Sequence, residues 1–288
     1  MMRAPRARAV GVVIGLLLIV GSSGVLGDDS SADLLVRADA AYATRYLIES
    51  MNEAIALYEA VLPSLDGLPV QSQAFVLNRL SQLCYELPMF SEGNTPEDKA
   101  LFIKGKDYAF QSLRLNEEFA TNEWGGLQVA LQYVTDPAAA HWAANNWGMI
   151  LEMNPVQGLM EQSSVMDLFE RAIEIQEDFW GGSAASALGS LLIMVPGIMG
   201  GNRERGLELV EDSIEMDPTY LHNRIILAEY WGFTYNMFGA LTGVQDAELI
   251  EQECAAIEAG EIGDWPFWNR MAKSEAERLL QQLADMTG

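Results

Sequence analysis

The chain has little of what covalent or metal chemistry requires. Cys84 and Cys254 are its only cysteines, and His141 and His222 its only histidines. Neither histidine has a His, Cys or carboxylate three or four residues on; His141 has Ala144 and Asn145 there. A helical metal site needs such spacing, so neither a metal nor a cofactor is expected. No nucleophile elbow is present, and no catalytic residue is assigned. Gly200-Gly201 lacks the Gly-Lys-Ser/Thr core of a phosphate loop and reads as a turn. The cysteines stand 170 residues apart and are expected to be buried free thiols rather than a disulfide. Basic side chains are scarce as well. Three arginines in residues 1–27 leave the remainder with 14 basic and 41 acidic groups. Such a surface keeps a protein soluble and repels nucleic acid. Half the residues are hydrophobic and a fifth charged, which excludes disorder.

The N-terminus carries a targeting pattern. Arg3, Arg6 and Arg8 precede an apolar run over residues 9–21, shorter than the about 20 residues of a membrane span. Small residues follow, with cleavage sites after Gly27 or Gly24. The reading is a signal peptide over residues 1–27, one domain over 28–288, and a periplasmic location. Neither site ends in Ala, and Val25-Leu26-Gly27 prolongs the apolar stretch, so an uncleaved membrane anchor is the alternative.

What the rest contains is helix pattern. Apolar residues recur at three- and four-residue steps over 33–47, 51–62, 70–87 and 96–115, and again from residue 138 onward. Pro63, Pro69, Pro88 and Pro96 punctuate the first four segments. Strand-like alternation is almost absent. Displacing the chain by 41 residues aligns Gly148 with Gly189, Pro155 with Pro196 and Leu168 with Leu209, giving ten identities over residues 143–180. Each copy reads helix, proline-marked turn, helix. Gly206, Val210, Ser213 and Pro218 follow the small–apolar–small–proline steps of a tetratricopeptide second helix; Gly105, Ala109 and Ser112 follow three of them. The first-to-second helix spacing from Gly189 to Gly206 is 17 residues, with an enlarged inner turn around Pro196, Gly200 and Gly201. The expected fold is all-α, with tetratricopeptide-like helical hairpins stacked as an α-solenoid.

Two aromatic clusters are candidate functional sites. In residues 141–148 (HWAANNWG), Trp142 shares a helix side with Asn145 or Asn146, whereas Trp147 lies on another side. One indole with an Asn lines a ligand groove in this reading; the alternative is two core tryptophans and an interhelical amide. The second cluster is Tyr230, Trp231, Phe233, Tyr235 and Phe238, which reads as core, interface or pore lining. The acidic stretch 244–260 reads as a solvated helix, and the apolar knot Trp265-Pro266-Phe267-Trp268 as a cap on the end of the stack.

Five stretches taken in order carry a family resemblance: residues 37–62, 104–115 (KGKDYAFQSLRL), 138–148 (AAAHWAANNWG), 188–229 and 269–280 (NRMAKSEAERLL). In these the chain resembles the T-component family of TRAP transporters. The resemblance implies an exported, non-enzymatic helical-repeat protein that docks to the system's periplasmic substrate-binding protein. It also implies a homotrimer whose hydrophobic pore passes a small hydrophobic ligand. The lipidated cysteine of the best-known members is missing here, with no Cys near residue 27. A generic periplasmic tetratricopeptide scaffold for envelope assembly is the competing function.

The targeting pattern makes one direct prediction. N-terminal sequencing of the exported protein is expected to find residues up to about Gly27 removed; recovery of Met1 or Met2 on a membrane-bound chain would make the segment an anchor.

Overall fold

The computed structural model describes residues 30–91, 95–236 and 239–288, so the signal-peptide reading and Phe238 fall outside it. The helices begin where the sequence offers caps. Ser30 accepts from Asp33 N–H ahead of α1 (Ser31–Ala43). Thr95 and Asp98 form a reciprocal capping box, with Pro96 at the first position of α4 (Pro96–Arg114). The side chains of Asp136, Asn154, Asn202 and Asp246 each accept from a first-turn N–H of α7 (Pro137–Glu152), α8 (Pro155–Ile175), α10 (Arg203–Met216) and α12 (Ala247–Ala259), without a reciprocal box. Between them run α2 (Ile48–Val61), α3 (Val70–Glu86), α5 (Glu117–Asn122), α6 (Leu127–Leu131), α9 (Ser183–Met194), α11 (His222–Tyr230) and α13 (Trp268–Thr287). Pro63 and Pro88 open short 3-10 turns after α2 and α3, and Pro69 is the cap residue of α3.

Among the described residues the fold is all-α apart from one ribbon. β1 (Phe233–Tyr235) pairs antiparallel with β2 (Leu241–Val244), Phe233 opposite Val244. The ribbon departs from the sequence expectation of helix or loop. Gly232 stands against Ile250 and the Ala228 carbonyl, where an added Cβ would meet atoms at 2.3 Å, so the chain turns sharply out of α11. The alternating Phe233-Thr234-Tyr235 then buries Phe233. The acidic segment does form a helix, but α12 is solvated on one side only. Ile250, Cys254 and Ile257 are buried, and Glu253 pairs with Arg224 at 2.7 Å. Cys84 and Cys254 are both buried and free, in different core clusters.

Consecutive helices pack most extensively as the pairs α1–α2, α3–α4, α7–α8 and α9–α10, with α4 against α7. Glycines set two of these crossings. A Cβ on Gly189 would lie 2.6 Å from the Gly206 carbonyl oxygen, and a Cβ on Gly206 equally close to that of Gly189. On α4, Gly105 leaves room for the Asn146 side chain, whose Oδ1 would be 2.2 Å from an added Cβ. Gly148 is different: its nearest neighbour is Val165 at an ordinary 3.8 Å. The inner turn after α9 needs both its glycines. Gly200 has φ +96°, and a Cβ on Gly201 would overlap the Val195 carbonyl. Pro196 accepts from the N–H groups of Met199 and Gly201 to close that turn. Pro218 lies in the turn that leaves α10, between Asp217 and Tyr220.

The apolar knot corrects an expectation. Instead of capping the last helix of a row, Phe267 and Trp268 join the core of α1, α2 and α3. Phe267 meets Phe90 edge-on at 5.8 Å, and Arg270 covers the Tyr46 ring at 4.8 Å. At the centre, Glu86 is fully buried. It accepts from Arg45 Nε at 2.8 Å, Gln82 Nε2 at 2.7 Å and Trp268 Nε1 at 3.0 Å. The α1–α2 connection and the start of α13 therefore meet on one carboxylate.

Two predictions follow from this packing. Arg45→Met strands the Glu86 charge and is expected to cost about 3–5 kcal/mol; adding Glu86→Leu should recover part of it. Gly189→Leu drives a side chain into the α10 backbone and is expected to cost about 1–3 kcal/mol. Denaturant midpoints read both; unchanged midpoints contradict the packing.

Candidate functional site

A partly open cavity of about 450 Å³ lies between α7, α9 and α11. Each wall is a helical stripe. From α7 come His141, Trp142, Asn145 and Gly148; from α9, Ser183, Ser186, Ala187 and Ser190; from α11, His222, Ile226, Glu229 and Tyr230. Steps of three, four and seven put each set on one face. Tyr85, Trp180, Tyr220, Tyr235 and Trp268 complete an aromatic lining that contains no Lys or Arg.

Trp180 holds the centre by an unusual backbone. It has φ +53°, followed by Gly181 and Gly182 at +66° and +75°. A bulky residue rarely adopts this region. The two glycines permit it, since a Cβ on Gly181 would press to 2.9 Å against Tyr220. In return the Trp180 indole meets Trp142 and Trp265 edge-on, each at 5.3 Å. Its N–H faces the Tyr220 hydroxyl without completing a hydrogen bond of normal geometry.

His141 is buried beside Trp142 (4.6 Å), Phe179 (5.5 Å) and Phe169 (6.0 Å). Asn145 Nδ2 donates to the His141 carbonyl at 2.9 Å and stands 3.1 Å from Nε2. With Nε2 accepting, the proton belongs on Nδ1, which is buried without a partner. Burial lowers the His141 pKa to about 3 and that of His222 to about 4, so both rings are neutral at pH 7. Burial also raises Tyr220 and Tyr230, keeping their phenols protonated. Glu229 is raised by burial against the opposing pull of Arg278, which donates to it at 3.1 Å. The Tyr235 hydroxyl, like His141 Nδ1 and the Trp180 N–H, is a buried polar atom without a partner. The arrangement is a largely aromatic chamber with two neutral histidines, several hydroxyls and amides, and the carboxylates Glu152 and Glu229 but no cation, so it disfavours an anion.

The two sequence clusters divide between chamber and scaffold. Trp142, Asn145, Tyr230 and Tyr235 line the chamber, with the two tyrosine rings 6.1 Å apart. Asn146 instead clamps α7 to α3, donating to the Ser81 carbonyl at 3.0 Å and to the Trp142 carbonyl at 2.9 Å. Trp147 lies on the opposite side of α7, donating to Glu161 at 2.9 Å beneath the Lys106 ammonium at 3.6 Å. Trp231 packs under the Arg203 guanidinium at 4.4 Å, away from the chamber, and Phe233 is core. Sequence reasoning missed Tyr85, Trp180, Tyr220 and Trp268, and left His141 and His222 unassigned. The aromatic pair Phe179-Trp180 before two glycines was the available signal.

The depressed histidine pKa values fix a pH dependence. The unfolded chain takes up protons below about pH 6.5, whereas folded His141 does not until about 3. Its contribution to stability is full above 6.5 and falls as pH drops toward 3. Between pH 7 and pH 5, His141→Leu is expected to lose about 2 kcal/mol less stability than the parent. Equal losses in urea titrations at the two pH values would contradict a buried neutral ring.

Among the described residues, no helix is long and apolar enough to cross a membrane. No group of three or more His, Cys, Asp or Glu there is placed to hold a metal ion. Comparison with curated proteins found no match. The model of the family described as TRAP transporter T-component matches residues 92–286, a span that runs from α4 to α13 and holds nearly all of the chamber. The chain belongs to the TRAP transporter T-component family.

Proposed function

We propose that this chain is the extracytoplasmic binding and adaptor component of a TRAP-type uptake system. Its helix pairs act as tetratricopeptide-like hairpins in a solenoid, shaped to hold a small hydrophobic ligand and to dock on the periplasmic substrate-binding protein. The chamber carries this reading. Its volume fits a small molecule, its walls are largely aromatic, and Asn145, Ser186 and Ser190 are among the polar side chains that line it.

A surface beside the chamber supports docking. Val156 and Met160 at the start of α8, and Ile198 in the turn after α9, are 73 %, 80 % and 96 % exposed. Gly158 and Pro196 beside them line the chamber, and Gln162 ties α8 to the Met199 carbonyl at 3.3 Å. Apolar side chains around an opening are what a protein partner covers. Homotrimer formation, with the chambers serving a hydrophobic passage, belongs to the same proposal.

Binding without catalysis is the consistent chemistry. Ser183 Oγ stands 3.3 Å from His141 Nε2, as a nucleophile would stand from its base. No carboxylate orients Nδ1, and a base with a pKa of about 3 does not activate a hydroxyl at neutral pH.

Light scattering is expected to give about three times the monomer mass. Protein purified without denaturation should release an apolar small molecule detectable by mass spectrometry. Ala187→Trp should fill the chamber and lower that yield at least about tenfold while assembly persists. Met160→Asp with Ile198→Asp should weaken capture of the substrate-binding protein. A monomer at every concentration that captures no such protein would defeat the proposal.

A further inference from the structure

Trp142 and Trp180 have a second side. There, a concavity of about 540 Å³ opens between α3 and the start of α7. Phe75, Trp142, Phe179 and Trp180 give it aromatic walls, and Asn78, Arg79, Gln82 and Asp136 its principal polar groups.

The cation is the informative member. Arg79 lies over the Tyr42 ring at 3.8 Å and within 5.1 Å of the Phe75 centroid. Its Nη1 donates to Gln82 Oε1 at 2.9 Å. Its Nε is buried and has no acceptor, and Arg79 makes no ion pair among the described residues. In a chain of net charge −24, acids are not in short supply. The nearby ones are engaged elsewhere: Glu86 holds Arg45, while Asp136 caps α7 through Ala138 N–H at 2.9 Å and accepts from Asn78 Nδ2 at 2.7 Å. That last bond orients the Asn78 amide. Its Oδ1 must be the free acceptor, and it is buried without a donor, on a residue only 8 % exposed.

A guanidinium placed over one ring and near a second, with an Nε that lacks an acceptor, is suited to a planar anion. With Asp136 already in the lining, a second negative charge on the ligand is disfavoured, so a monoanion fits Arg79 better than a phosphate dianion. The aromatic walls accept a ring, and Asn78 Oδ1 accepts an O–H or N–H at its far end. We propose that this concavity binds a small aromatic carboxylate, with the carboxylate on Arg79, the ring among Phe75, Phe179 and Trp180, and a hydroxyl or N–H donor on Asn78. The site is separate from the chamber, whose lining has no cation, and it does not rest on the transport reading.

4-Hydroxyphenylacetate and its uncharged methyl ester are the probes, titrated into the full chain by calorimetry and tryptophan fluorescence. The acid is expected to bind one-to-one, at least about tenfold tighter than the ester, since a charge-assisted hydrogen bond is worth about that factor. Arg79→Met should remove the preference by weakening the acid alone, and Asn78→Leu should bring the hydroxylated acid down to the level of phenylacetate. If Arg79→Met does not fold, the acid and ester comparison stands on the parent protein. Ala74→Phe, which leaves Arg79 in place and adds bulk to the concavity, then supplies the loss of binding. Equal affinity for acid and ester, no saturable binding at millimolar concentration, or full binding in the Ala74 variant would overturn the proposal.

Discussion

The fold depends on a carboxylate that no solvent reaches. Glu86 stands at the end of α3 and gathers Arg45 from the α1–α2 connection, Gln82 from its own helix and Trp268 from the opening of α13. A buried charge is costly unless its partners are complete, so the site tolerates only the arrangement in which all three donors are present. One donor is 182 residues away along the chain. The requirement therefore draws the last helix back onto the first three. Aromatic contacts reinforce it, with Tyr85 stacked on Trp268 at 6.1 Å and Trp268 against His222 at 4.8 Å.

Closure has a consequence for the interior. Stacked helix pairs bury the faces between neighbours, but a chain that returns on itself also encloses space on its inner side. That space is filled with rings, and Trp180 is the wall between its two parts. Its left-handed backbone is strain of the kind that accumulates at functional sites and persists only when surroundings over-determine it. On one side the wall faces a lining without Lys or Arg; on the other it faces Arg79, which makes no ion pair among the described residues. The two cavities thus differ in their charged groups: Glu152 and Glu229 with no cation line one, and Arg79 with Asp136 the other.

Much of the helical scaffold was legible because its signals are local. Thr95-Pro96 with Asp98 announces α4, and Gly189 with Gly206 announces the α9–α10 crossing. The chamber was legible in part. Trp142 and Asn145 were visible as a polar–aromatic stripe, whereas Ser183, Ser186 and Ser190 look in sequence like the small residues of any close helix contact. The return of Trp265-Pro266-Phe267-Trp268 left no local trace. A solvent-shielding cap and a long-range closure need the same apolar residues, and only the distant Glu86 distinguishes them. Glu253 shows the same limit, since an acid in an acidic stretch reads as solvated until Arg224 is found beside it.

The closed arrangement is the claim from which the chambers follow, and an intramolecular distance tests it most directly. Leu47 is half exposed, next to Tyr46, whose ring lies under the Arg270 guanidinium. Spin labels at Leu47 and Arg270, diluted with unlabelled protein so that only distances within one chain are read, should give one short, narrow distance by pulsed electron resonance. A long or broad distribution would mean an open row of helices, with no enclosed chamber and no wall between two of them.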